Sequence, residues 1–152
     1  MSSNAWRLDL ADQPFPEATV SGKIHGSDFF CDRAVLQGGA LTLRMGKDWP
    51  PDLGLTVFLF ARGAEELAGK SALVTTNNIR SPRVALRWKE GDENETDVFT
   101  NGFALKIEFG NQEGNRLPGK IYICLPDPEQ SYIAGTFNAD IRKPSPPKPK
   151  PH

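Results

Sequence analysis

Residues 103–109 read Phe103-Ala104-Leu105-Lys106-Ile107-Glu108-Phe109, four large apolar side chains separated by small or charged ones. An extended chain points successive side chains to opposite faces, so this segment is expected to be a strand with one buried face. The same two-residue period recurs outward along the chain. Trp6, Leu8 and Leu10 alternate with Arg7 and Asp9; Leu41, Leu43 and Met45 with Thr42 and Arg44; Val84, Leu86 and Trp88 with Ala85 and Arg87. Further strands are expected near 18–25, 29–36, 71–76, 96–100, 119–125 and 131–141. Residues 55–61 (LTVFLFA) are apolar almost throughout, as in a strand covered on both faces. Only residues 61–68 (ARGAEELA) have helical character.

Turn chemistry agrees with this pattern. Asn101-Gly102 stands between Phe99 and Phe103, and Gly38-Gly39 between the segments 29–36 and 40–46; both pairs suit tight hairpins that need positive φ. The chain also resembles itself. Residues 34–46 (AVLQGGALTLRMG) align without a gap on 98–110 (VFTNGFALKIEFG), and the same 64-residue offset places Val57 on Ile121. A duplicated unit would cover its apolar face with its copy. The expected fold is therefore all-β: an antiparallel β-sandwich or flattened barrel of about eleven short strands, built as two pseudo-repeats.

With 152 residues, 14 Gly and 13 Pro, the chain suits one turn-rich domain. That domain is expected over residues 1–141. Residues 142–152 (RKPSPPKPKPH) hold five prolines and no large apolar group, so an extended, disordered tail is expected. Four basic residues fall in the tail, and 14 basic against 19 acidic ones remain in 1–141, so body and tail carry −5 and +4. A net charge of −1 suggests neither nucleic acid nor a membrane as partner. No stretch approaches the roughly 18 apolar residues of a membrane span. The start of the chain lacks the apolar core of a signal peptide, which leaves a cytoplasmic protein or an exported one whose signal has been removed. Cys31 and Cys124 are compatible with one bridge or with two buried thiols.

Chemistry is thinly signalled. His25 is the single histidine outside the tail, and it follows Ile24 on a strand with no nucleophile motif beside it. His25, Asp28 and Asp32 match no metal-ligand spacing, and no metal or other cofactor is expected. The acids Glu90, Asp92, Glu93, Glu95 and Asp97 lack the glycine-punctuated loop of a calcium hand and are read as a charged connection. Trp6 and Trp88 lie on apolar strand faces and are read as core. Trp49 differs, because the loop Gly46-Lys47-Asp48-Trp49-Pro50-Pro51 presents it on a stiff backbone, where a ring can stack on a sugar and its N–H can donate. Trp49, Asp48 and Lys47 are therefore the expected ligand-binding residues. Lys143, Pro146 and Pro149 fit a basic-x-x-Pro-x-x-Pro ligand of aromatic grooves, beside the plainer reading of a solubilising tail. The function expected from these features is a non-catalytic binding or interaction module, with carbohydrate as the favoured ligand and a protein partner as the other option. The alternatives are a small hydrolase with a carboxylate-based site and a structural accessory domain of a larger assembly.

Overall fold

The computed structural model describes residues 6–46, 53–59, 61, 63–77 and 81–142. Strands β1 (Ser21–Ile24), β2 (Ser27–Phe30), β3 (Arg33–Gln37), β4 (Ala40–Met45) and β5 (Leu53–Phe58) precede a one-turn helix α1 (Ala64–Leu67). Strands β6 (Ser71–Val74), β7 (Arg83–Glu90), β8 (Glu93–Phe99), β9 (Ala104–Phe109), β10 (Arg116–Cys124) and β11 (Tyr132–Arg142) follow. The fold is thus nearly all β.

The strands join in one hydrogen-bonded path, β6-β9-β10-β11-β3-β4-β5-β7-β8, with β1 and β2 branching from β11. A sheet this long stays stable by curling, because a twisted sheet brings one face round upon itself. The buried face supplies a single core: Leu41, Leu43, Leu55, Val57, Val84 and Leu86 meet Leu105, Ile107, Ile121, Ile123, Ile133 and Phe137. Phe103, Leu105, Ile107 and Phe109 are all buried, as the alternation requires, and Glu108 is exposed. Residues 53–58 are buried on both faces and lie between β4 and β7, the central position expected of them.

Three expectations are corrected. Residues 6–10 form no strand. Instead the segment crosses the outer face of β9–β11, where Leu10 is buried and Trp6 and Phe15 pack against Ala104, Tyr122, Cys124 and Ala134. Trp6 Nε1 donates to the Leu125 carbonyl at 2.7 Å, and Lys106 Nζ to that of Gln13 at 2.9 Å. Second, Asn101-Gly102 closes no hairpin: β8 pairs with β7, while both edges of β9 are taken by β10 and β6. The hairpin is made by Gly91-Asp92, with Glu90 opposite Glu93 and Gly91 at φ 64. Gly38-Gly39 does close a hairpin, with Gln37 opposite Ala40 and Gly38 at φ 61.

Third, the 64-residue offset does not carry one pairing pattern onto the other. It maps β3 onto the end of β8, yet β3 pairs with β4 whereas β8 does not pair with β9. It maps β4–β5 onto β9–β10, but Leu41 faces Val57 while Leu105 faces Ile123 rather than Ile121. Alternation alone makes such hairpins look alike in sequence.

Candidate functional site

β11 positions a polar cleft. Along one edge it pairs antiparallel with β1 over Tyr132, Ile133 and Ala134. A bridge to Thr19 follows at Thr136, and then a parallel pairing with β3 over Asp140, Ile141 and Arg142. Between the two partners the edge opens at Phe137 and Asn138, because β1 and β3 diverge there. Gly135 permits the close approach that starts the divergence: it sits at φ 141, and a Cβ there would lie 2.4 Å from the Ala18 carbonyl oxygen.

The result is a cleft of about 470 Å³ lined by Thr19, Cys31, Asp32, Arg33, Arg116, Thr136, Asn138 and Asp140, with Ala34 and Phe137 as its apolar residues. Arg116 Nε donates to Asp140 Oδ1 at 3.1 Å. Asp32 Oδ2 accepts the Gly46 N–H at 2.9 Å. The Cys31 thiol donates to the Arg33 carbonyl, and burial pushes its pKa up to about 11, so it stays protonated at neutral pH. Cys124, also in no disulfide, lies under the N-terminal segment, where its sulfur accepts the Arg7 N–H, and burial likewise raises it to about 11.

A second constellation surrounds His25. With Gly26 it makes the β1–β2 turn, both residues at positive φ (50 and 82). The imidazole stacks on Trp88, with centroids 4.2 Å apart and 14° between planes. Glu90 lies 3.5 Å from Nε2 and Glu129 3.6 Å from Nδ1. The His25 N–H donates to Ser131 Oγ, and Asp127 accepts from both the N–H and the hydroxyl of Ser131. Trp88, expected in the core, is therefore half-buried, and its N–H donates to Glu90 at 3.2 Å. The two carboxylates approach different ring nitrogens, so they do not converge with His25 on one point. Among the described residues no group of three His, Cys, Asp or Glu side chains is placed to hold a metal ion.

An apolar cavity of about 370 Å³ lies between β6, β9 and α1, lined by Leu59, Ala61, Leu67, Val74, Pro82 and Leu105 among others. The neighbouring positions 60, 62 and 78–80 lie outside the described residues.

The expected ligand residues Lys47, Asp48 and Trp49, and the tail residues Lys143, Pro146 and Pro149, also lie outside the described residues. In the sequence Asp32 is weighed as a metal ligand and Cys31 as a bridge or buried thiol, but the cleft residues are not singled out as a site. They come from four separate segments that only the β11 edge brings together. No known protein family, curated protein or solved structure matches the chain.

Proposed function

We propose that the chain is a non-catalytic binding module that holds a carbohydrate in the cleft between β3 and β11. The carrying observation is the cleft's composition. Asp32 and Asp140 stand with Arg33 and Arg116, and Thr19, Thr136 and Asn138 add uncharged donors and acceptors. Such a wall matches a hydroxyl-rich ligand, since each hydroxyl both donates and accepts. Most of these side chains rise from strands, and groups on strands are held more firmly than groups on loops.

The hydrolase alternative draws less support here. The carboxylates of Asp32 and Asp140 are occupied in holding Gly46 and Arg116, and the Cys31 thiol stays protonated. The flattened-barrel view of the fold belongs with this proposal, and it is supported by the single core that gathers side chains from both ends of the strand path.

The test is calorimetric titration of the full chain with a panel of oligosaccharides, repeated on Asn138→Ala. Asn138 is exposed, so the variant should keep its melting temperature and lose affinity several-fold. If no oligosaccharide binds, or the variant binds as tightly as the parent, the proposal fails.

A further inference from the structure

The cleft does not end at Asp140. The parallel register sets Asp140 beside Val35 and Arg142 beside Gln37, and the antiparallel register sets Val35 beside Thr42 and Arg33 beside Arg44. These positions share the outer face of the sheet, because each is two residues from the next along its strand. A second depression of about 260 Å³ occupies this face, lined by Val35, Gln37, Thr42, Arg44 and Arg142. It therefore continues the polar cleft along the β11–β3 pair.

The charge changes along this strip. In the cleft itself, two arginines face two aspartates. The continuation adds Arg142 and Arg44 and no described acid. Arg33 and Arg142 are exposed, and their guanidinium groups stand on neighbouring strands of one face. A guanidinium group matches carboxylate and sulfate oxygens in a planar, two-pronged geometry that a hydroxyl does not satisfy as fully.

We infer that the strip takes an acidic polysaccharide, with hydroxyls read in the cleft and separate carboxylate or sulfate groups along the polymer met by Arg33 and by Arg142, which stand four residues apart in the β3 register. This rests on the carbohydrate reading above and narrows its ligand class. A nucleic acid is the less favoured polyanion. Its single strands bind by stacking on rings, and the aromatic ring among the outer-face positions of β3, β4, β5 and β7 is Phe58, which lies 4.5 Å beneath the Arg83 guanidinium. The hydroxyl and amide groups of Thr42, Gln37 and Asn138 suit a hydroxyl-rich polymer instead.

The experiment measures binding of the full chain to polygalacturonate, dextran sulfate, neutral dextran and a 20-base-pair DNA duplex, each at two salt concentrations. Binding to at least one acidic polysaccharide should exceed that to neutral dextran and weaken with added salt. Arg33→Gln with Arg142→Gln should lower this affinity about five- to tenfold, the loss of two exposed charge contacts. The Arg33→Lys, Arg142→Lys pair should keep part of it, and neither pair should change the melting temperature. If neutral dextran binds as well as the acidic polymers, this inference falls while the carbohydrate reading stands. If no polysaccharide binds, the carbohydrate reading falls with it. If the DNA duplex binds more tightly than either acidic polysaccharide, the strip belongs to nucleic acid and the inference is overturned.

Discussion

Replacing Phe109 by Ala removes a ring that closes one end of the core. Phe109 is only 7% exposed, and it meets Phe137 edge-on at 6.0 Å and 80°. Its cross-strand neighbour is Gly119, over which the Phe137 ring lies; a Cβ there would come within 2.5 Å of Phe137 Cζ. Phe137 therefore leans on Phe109 and on a glycine that leaves it room. Buried Phe→Ala changes cost about 3–5 kcal/mol, of which an edge-to-face pair supplies roughly 0.5–1.5 kcal/mol. Phe109 also borders the apolar cavity, so its surroundings have space in which to relax. The lower part of the range applies, about 3 kcal/mol. Urea unfolding followed by Trp fluorescence should show that loss as a lower midpoint with an unchanged slope. The melting temperature should fall by roughly 6–12 °C for a chain of this size. Glu108→Ala, on the exposed face of the same strand, should stay within about 0.5 kcal/mol. A Phe109→Ala loss below about 1 kcal/mol would refute the assignment of this face to the core.

Other perturbations probe separate parts of the account. Gly135→Ala should destabilise by more than about 2 kcal/mol, because backbone strain at φ 141 adds to collision with the Ala18 carbonyl; Gly91→Ala, with open space around it, should cost only about 1 kcal/mol in the same thermal melt. Asp127→Ala should cost about 2–4 kcal/mol by denaturant unfolding, since it removes the carboxylate that accepts two hydrogen bonds from the buried Ser131. Cys31 and Cys124 both titrate near 11 when folded, whereas thiols of the unfolded chain ionise near about 8.5. The unfolded chain therefore releases these protons first, and stability should fall as pH rises from about 8.5 towards 11. Melting curves across that range should be flatter for Cys31→Ala with Cys124→Ala, and identical pH profiles would contradict the burial of both thiols.

The elements of this fold were legible wherever a local pattern determines them. The alternation at 103–109, the apolar run in β5 and the Gly38-Gly39 turn each predict what forms, because burial of one face and a positive φ are local requirements. Gly91-Asp92 was an equally readable hairpin signal, overshadowed by the acidic residues around it. Partner choice was not legible in the same way. Asn101-Gly102 has ideal turn chemistry, yet β9 has both edges taken by β10 and β6, a competition among distant segments. Trp6, Leu8 and Leu10 alternate like a strand, but Trp6 and Leu10 cover the outer face of β9–β11, whose Ala104, Tyr122 and Cys124 are buried there, while Leu8 is exposed. The candidate site lies still further from local pattern. Arg33, Arg116, Asn138 and Asp140 look like ordinary exposed strand residues until β11 changes partner beside them. Likewise nothing near His25 in sequence announces Trp88 or Glu129.

The central claim is that this change of partner makes a carbohydrate site. It is tested most directly by two-dimensional amide NMR of the labelled chain, titrated with the tightest-binding saccharide of the panel. Saturable shifts should concentrate at Thr19, Asp32, Arg33, Arg116, Thr136, Asn138 and Asp140, continuing to Arg142. Shifts centred on the apolar cavity by Leu67 and Val74, or on His25 and Trp88 with the β11 edge unmoved, would contradict the claim.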